Sequence, residues 1–447
     1  MSEIWRKEDW LAVWIGLGLV TAAIVLFANG ASIKWLGVAP QKWSHLADAI
    51  LQLRQNYLRY AVLGAVWAVL FAPGAAAMGI PVARFVPAFL VVYAAALLLY
   101  FLGLWDQAAH YNLEPPLVAL GLGLLLANTF GTPRWLEPAL RVEFYIKTGI
   151  VLLGAGLPLT LIVWAGPVAI GQAAIVSLVT FGVIYFSAVR LGLDRRLAAT
   201  LGTGGAVCGV SGAIAIGGAI GAKKADVSVA ISLVVLWAIV MIFVLPLSAR
   251  ALHLSTGVAG AWIGTSEFAD AAGLAAAQTY GGYAGNVPGI LGKPDAAVAA
   301  FTLMKVIGRD MWIGVWAFVL SLIAITRWQD TGVRNRVAAG EIWRRFPKFV
   351  LGFLLASALV AIVSRGQNYA SYKQAVLPGL VAPLQALRNW AFTFAFLSIG
   401  LTTRLREFAS VGARPLYAFT LGVAVNVLLG YYLSTGVFDA FWNRLGQ

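Results

Sequence analysis

Charge is scarce in this chain: Asp, Glu, Lys and Arg make up 11% of its 447 residues, against 61% hydrophobic residues. That shortage excludes a soluble globular fold, and the long apolar runs between short charged connectors predict an all-α polytopic membrane protein. Cysteine is nearly absent. Cys208 is the only one, so no intrachain disulfide is available. The three histidines, His45, His110 and His253, stand in connectors without metal-ligand spacing, which excludes a histidine-based metal centre. No nucleotide-binding loop, zinc-protease pattern or serine-nucleophile elbow occurs, so ATP-driven transport by this chain alone is excluded, and an enzyme is not expected. No cofactor is expected either. The longest polar connector, Thr326 to Pro347, is too short to bury a core of its own. The first apolar run follows Trp5-Arg6-Lys7-Glu8-Asp9-Trp10 without a small-residue cleavage site, and reads as a first span rather than a signal peptide.

Acidic residues are the scarcer sign, leaving a formal net charge of +14. The basic residues are spread through connectors rather than gathered on one face, so they report topology, not nucleic-acid binding. At roughly 20 residues per crossing we count about thirteen candidate spans: 11–29, 58–78, 85–105, 115–130, 144–166, 167–191, 198–221, 226–252, 256–278, 296–325, 347–364, 376–402 and 414–435. The segment 115–130 is short enough to dip rather than cross. Alternate-loop counting puts the connectors with Arg190, Arg195 and Arg196 and with Arg327, Arg334, Arg336, Arg344 and Arg345 on one side, the cytoplasmic one. The connector from Gly30 to Tyr57, with Trp35 and Trp43, fits an amphipathic stretch on the membrane surface. Residues 1–110 carry no interpretable motif and are read as an N-terminal transmembrane unit; 111–447 are read as the transporter core.

The core has internal echoes. Ile150-Val151-Leu152-Leu153-Gly154-Ala155-Gly156-Leu157 resembles Phe394-Ala395-Phe396-Leu397-Ser398-Ile399-Gly400-Leu401, seven spans away, and an odd separation sets two copies in opposite orientations. Gly202-Thr203 and Gly264-Thr265 open similar small-residue stretches.

Within the apolar runs, glycine and small polar residues collect at Gly202-Thr203-Gly204-Gly205 and at Cys208-Gly209-Val210-Ser211-Gly212. Each helical glycine costs about 1 kcal/mol relative to alanine, so this segment predicts a broken helix. Its half-helix N-terminus would present backbone N–H groups, with Thr203, Cys208, Gly209 and Ser211, to an anion. Close helix packing through small residues is the other reading. A second place, Thr265-Ser266-Glu267-Phe268-Ala269-Asp270, sets two carboxylates three residues apart on one helical face, either for a coupling ion or as a polar helix start. A third holds Lys305, Arg309 and Asp310 mid-span. Lys305 and Arg309, four residues apart, either hold an anion or pair with Glu267 or Asp270. Lys147, near a helix start, is expected to snorkel to the interface.

At these residues the chain resembles the YeiH/TauZ-type sulfate exporter family, from about Leu117 to Ser434. The likeness is carried by Leu117–Asn128, Gly149–Gly154, Leu191-Gly192-Leu193-Asp194-Arg195-Arg196-Leu197-Ala198, Gly264-Thr265-Ser266, Ser398-Ile399-Gly400-Leu401 and, most specifically, Cys208-Gly209-Val210-Ser211. The resemblance implies a secondary transporter related to the bile acid, arsenite and riboflavin transporter superfamily, with inverted repeats, elevator-like or rocking movement, and a small anion such as sulfate or sulfite. Here Glu267-Phe268-Ala269-Asp270 stands where relatives have His-Asp, Gly212 replaces an alanine, and Lys305 and Arg309 are one residue further apart than Lys-x-x-Arg. The expectation is therefore an anion transporter in which Thr203, Cys208, Gly209, Ser211, Thr265, Ser266, Lys305 and Arg309 contact substrate. Glu267, Asp270 and Asp310 would serve a coupling proton or Na⁺. The expected partners are the small anion, membrane lipids and a second copy in a homodimer. Uncoupled anion conduction and a non-transporting structural or sensory role are the alternatives.

Overall fold

The computed structural model describes residues 7–110, 115–157, 159–328, 347–365, 372–406 and 411–446. Among them every regular element is helical and none is a strand: α1 (Glu8–Ala28), α2 (Leu46–Ala77), α3 (Val82–Gly103), the short α4 (Asp106–His110), α5 (Pro115–Thr129), α6 (Val142–Gly154), α7 (Leu159–Arg190), α8 (Arg195–Ala206), α9 (Val210–Ala219), α10 (Lys224–Ala251), α11 (Thr256–Ser266), α12 (Asp270–Tyr283), α13 (Pro294–Thr302), α14 (Trp312–Arg327), α15 (Lys348–Val363), α16 (Ala382–Thr402), α17 (Ala413–Tyr432) and α18 (Asp439–Gly446). Three π-helical stretches, Leu303–Arg309, Tyr372–Val381 and Leu433–Val437, join α13 to α14, precede α16 and follow α17. Six of the described helices are long and apolar enough to cross a membrane: α1, α2, α3, α7, α10 and α17 with its π-helical end. The chain is a multi-pass membrane protein. The predicted boundary at 166/167 shifts: α6 stops at Gly154, where added side-chain bulk would strike the Phe353 backbone, and α7 runs straight through Pro167. A spanning helix tolerates the one missing N–H. α2 likewise begins at Leu46, twelve residues before the predicted span.

The chain forms two compact units, Met1–Ile162 with Lys348–Thr403, and Val163–Pro347 with Arg404–Gln447. In the first, the motif-poor residues up to 110 pack with α6 and α16 around an aromatic core. Trp67 stacks on Phe71 at 5.0 Å, Phe71 meets Tyr145 at 4.9 Å, and Tyr93 stacks on Trp390 at 5.2 Å. Lys147 does not snorkel. It is 7% exposed, bonded to Asp9 at 2.6 Å and Glu143 at 3.3 Å, because α1 and the preceding turn of α6 supply carboxylates at that depth. Lys147→Met should lower stability by about 1–2 kcal/mol, less than a fully buried pair, and Asp9→Asn in the same protein should recover part of it in thermal unfolding.

The second unit departs most from the predicted topology. A methyl built on Gly204 would stand 3.8 Å from Ala213 Cβ, and one on Gly217 3.6 Å from Thr200, so numbers fall along α9 as they rise along α8. The two half-helices are antiparallel. Arg196 Nη1 donates to Gly221 O at 3.3 Å across their open end. Segment 198–221 is therefore a re-entrant hairpin, not a crossing.

The segment 256–278 doubles back as well. Gly260 of α11 abuts Ala297 and Gly264 abuts Phe301 of α13, a parallel pairing; Gly273 of α12 abuts Phe301 and Gly281 abuts Pro294, an antiparallel one. α11 and α12 are therefore antiparallel, tied at their open end by Tyr280 OH donating to Leu254 O at 2.5 Å. From Pro294, beside that open end, α13 and α14 run to Arg327 and Trp328, which share a cavity of about 530 Å³ with Asp194, Arg195, Arg196, Gly221 and Lys223 at the open end of the first hairpin. The hairpins thus enter from opposite ends. With 12 residues in α8 and 11 in α11, each reaches about 16–18 Å at 1.5 Å per residue, roughly half of a 30 Å hydrocarbon layer.

Alternate-loop counting over thirteen crossings therefore fails at both breaks. The basic grouping survives, since two hairpins remove an even number of crossings between the Arg195 and Arg327 connectors. It also gains Lys223, which span counting puts on the other side. The connector bearing Arg334, Arg336, Arg344 and Arg345 lies outside the described residues.

Candidate functional site

A hairpin tip leaves backbone groups without helical partners, and each unpaired group in an apolar medium costs several kcal/mol. Val207-Cys208-Gly209 forms the first tip and Glu267-Phe268-Ala269 the second. The tips touch. Gly209 has φ +68°, and a methyl on it would lie 2.5 Å from Phe268 O and 2.7 Å from Val234 Cγ1. Only glycine meets both demands, the positive φ and the close approach.

The orphan carbonyls are taken up by two cations on the π-helical stretch between α13 and α14. Lys305 Nζ donates to Val207 O at 3.1 Å, Phe268 O at 3.0 Å and Glu267 O at 3.3 Å, and lies 3.5 Å from Asp270 Oδ1. Arg309 Nη1 donates to Thr265 O at 2.6 Å and Glu267 O at 2.9 Å, and its Nη2 to Gly205 O at 2.9 Å. Each cation therefore joins one tip to the other. Both side chains are fully buried. They also face the C-terminal ends of α8 and α11, where the macrodipoles favour positive charge. The four-residue spacing is set in π geometry, with Asp310 N–H reaching back five residues to Lys305 O at 3.0 Å. A π turn absorbs one extra residue.

The N-terminal ends of the returning helices differ. Glu267 Oε1 accepts from Phe268 N–H at 2.9 Å and Ala269 N–H at 3.2 Å, so a carboxylate covers the entry to α12. Its Oε2 is buried without a hydrogen bond. The N-cap of α9 is Gly209, which brings no side chain of its own to the helix start.

The remaining predicted residues gather around these tips. Thr203 and Thr265 are fully buried and turn their hydroxyls back into their own helices, Thr203 to Ala199 O at 2.9 Å and Thr265 to Trp262 O at 2.8 Å. Cys208 is buried at the first tip; Ser266 Oγ lies 3.5 Å from Thr265 Oγ1, and both border Gly430 of α17. Asp310 is buried directly after the π stretch. Ser211 opens α9, and its side chain lies outside the described residues. Lys305 and Arg309, assigned to the anion on sequence grounds, direct the hydrogen bonds given above to backbone carbonyls. Sequence reasoning missed those carbonyls, which no side chain announces. It also missed the buried polar seam between α7 and α17–α18: Gln172 with Ser434 at 2.9 Å and Trp442 at 2.9 Å, and Thr180 with Asn426 at 3.0 Å. A glutamine in an otherwise apolar span was the available signal.

Residues 87–419 match the family described as Conserved hypothetical protein 698. A protein from Nitratidesulfovibrio vulgaris named UPF0324 membrane protein is 36% identical over 80% of this chain and 60% of its own length. A Rhodopirellula baltica protein of the same name is 33% identical over 87% of this chain and 69% of its own. A Nitrosomonas europaea one is 29% identical over 96% of both. The chain spans about three fifths of the length of the first two relatives it matches, both from Nitratidesulfovibrio vulgaris. No solved structure is similar to it.

Proposed function

Since the chain belongs to the YeiH-like UPF0324 family of membrane proteins, we propose that it is a secondary transporter. It would move a small inorganic or sulfonated anion, sulfate- or sulfite-like, across the bacterial inner membrane by alternating access. The observation that carries this reading is the meeting of two opposed re-entrant hairpins around buried charges at mid-depth, the place where secondary transporters hold substrate and coupling ion. The N-terminus of α9, with Gly209 as its N-cap, would supply oriented donors for an anion beside Cys208, Gly209 and Ser211. Glu267, Asp270 and Asp310 would serve a coupling proton or Na⁺. The inverted-repeat reading draws support from the echo pair: Tyr145 of α6 meets Phe394 of α16, and Gly149 meets Phe392, so the helices carrying the two copies are antiparallel. About thirteen spans was the sequence estimate; two opposed hairpins in place of two crossings still fit an inverted repeat.

The test is uptake of labelled sulfate or sulfite into proteoliposomes under imposed pH and Na⁺ gradients. The transporter accumulates anion above equilibrium, whereas an uncoupled conductor only equilibrates it. In Glu267→Gln/Asp270→Asn protein the accumulation should fall at least tenfold while the protein stays folded. Full accumulation with unchanged pH and Na⁺ dependence would remove the coupling role from these carboxylates.

A further inference from the structure

The surroundings of the Lys305 ammonium are those of a metal cation. Three backbone carbonyl oxygens stand 3.0–3.3 Å from Nζ and a carboxylate oxygen at 3.5 Å, and the side chain has no solvent access. The carbonyls come from the unwound tips of both hairpins, where transporters that use sodium hold it through half-helix C-terminal ends. Three neutral oxygens and one anionic oxygen suit a hard monovalent ion; the three donors of an ammonium match the three carbonyls, and its charge faces the carboxylate as an ion pair. Arg309 does not imitate an ion in this way, because its planar fork spreads over Gly205, Thr265 and Glu267 rather than centring on one point.

We propose that the hairpin tips form a monovalent-cation site in which Lys305 is a resident, tethered cation standing in place of Na⁺. The protein then needs no free sodium to hold its tips together. On the transporter reading this leaves the proton, of the two coupling ions proposed above, as the one served at Asp270; the cation site itself does not rest on that reading.

Removing the lysine side chain uncovers the oxygen cage, so binding is read without any transport assay. Purified wild-type, Lys305→Ala and Lys305→Ala/Asp270→Asn proteins are melted in choline, Na⁺ and K⁺ chlorides at equal ionic strength. A ligand that binds only the folded state raises its stability with the logarithm of concentration above Kd. The wild type should melt alike in choline and Na⁺. Lys305→Ala should melt lower in choline and regain at least about 3 °C in Na⁺, saturably, and the added Asp270→Asn should abolish the gain. A saturable Na⁺ response in the wild type overturns the proposal. So does Lys305→Ala that is indifferent to Na⁺, or that cannot be recovered folded in either salt. If transport fails while the sodium response appears, the cation site stands and the transporter reading falls.

Discussion

Gly209→Ala should lower the unfolding midpoint by about 2–6 °C and abolish uptake. Two separate effects add at this position. The backbone, at φ +68° and ψ −114°, lies where a non-glycine residue costs about 1–3 kcal/mol. The new methyl would meet Phe268 O at 2.5 Å and Val234 Cγ1 at 2.7 Å, and overpacking of that kind costs about 1–3 kcal/mol more. Neither neighbour yields easily, because Phe268 O is held by Lys305 and Val234 is fully buried. Gly218, in the same helix and exposed, has nothing within 4 Å of a built Cβ. Gly218→Ala should therefore stabilise the protein slightly, by about 0.5–1 kcal/mol. Thermal unfolding of the two variants side by side separates the tip contact from a general intolerance of α9 to side-chain bulk.

Arg309→Ala should cost about 3–5 kcal/mol, the range for removing one partner from a buried charged network. The truncation strands the carbonyls of Gly205 and Thr265 without the guanidinium that joins the two tips, and removes one of two donors to Glu267 O. Arg309→Lys keeps the charge but loses the fork, whose Nη1 serves Thr265 O and Glu267 O while Nη2 serves Gly205 O, and a single ammonium centre does not reproduce that spread. It should recover less than half of the lost stability and little uptake. If Arg309 instead bound the anion while contributing nothing to the fold, Arg309→Lys would raise the substrate concentration needed for half-maximal uptake and leave the melting point unchanged.

How far the sequence revealed this arrangement can be judged from those residues. The first break was legible because glycine clusters are costly in a spanning helix, and Cys208-Gly209 marks its tip; the second was not, since Glu267 and Asp270 were read on one helical face, whereas Glu267 ends α11 and Asp270 begins α12. The charged centre was legible because Lys305, Arg309, Glu267 and Asp270 are too expensive to leave in an apolar span without partners. The direction of the chain after each break was not legible in the local pattern, since a kink and a reversal use the same small residues. One signal did point to reversal: segment 198–221 has basic residues on both flanks, Arg195 and Arg196 before it and Lys223 and Lys224 after it. A crossing does not want that pattern, and a hairpin does. The identity of the cations' partners was beyond reach, because they are main-chain carbonyls positioned by tertiary contact. Lys147 was misread for want of weighing Glu143, one turn earlier on the same helix, and Asp9 on a distant one.

The reversal of α8–α9 and of α11–α12 is the central claim, and site-directed labelling tests it directly. In Cys208→Ala protein, single cysteines replace Arg195, Lys223, Leu252 or Asn286, all exposed at the open ends of the hairpins. A membrane-impermeant maleimide is then applied to sealed vesicles from one side at a time. Arg195→Cys and Lys223→Cys should label from the same side, and Leu252→Cys and Asn286→Cys together from the opposite side. Labelling of Arg195→Cys and Lys223→Cys from opposite sides would make 198–221 a crossing span and contradict the account.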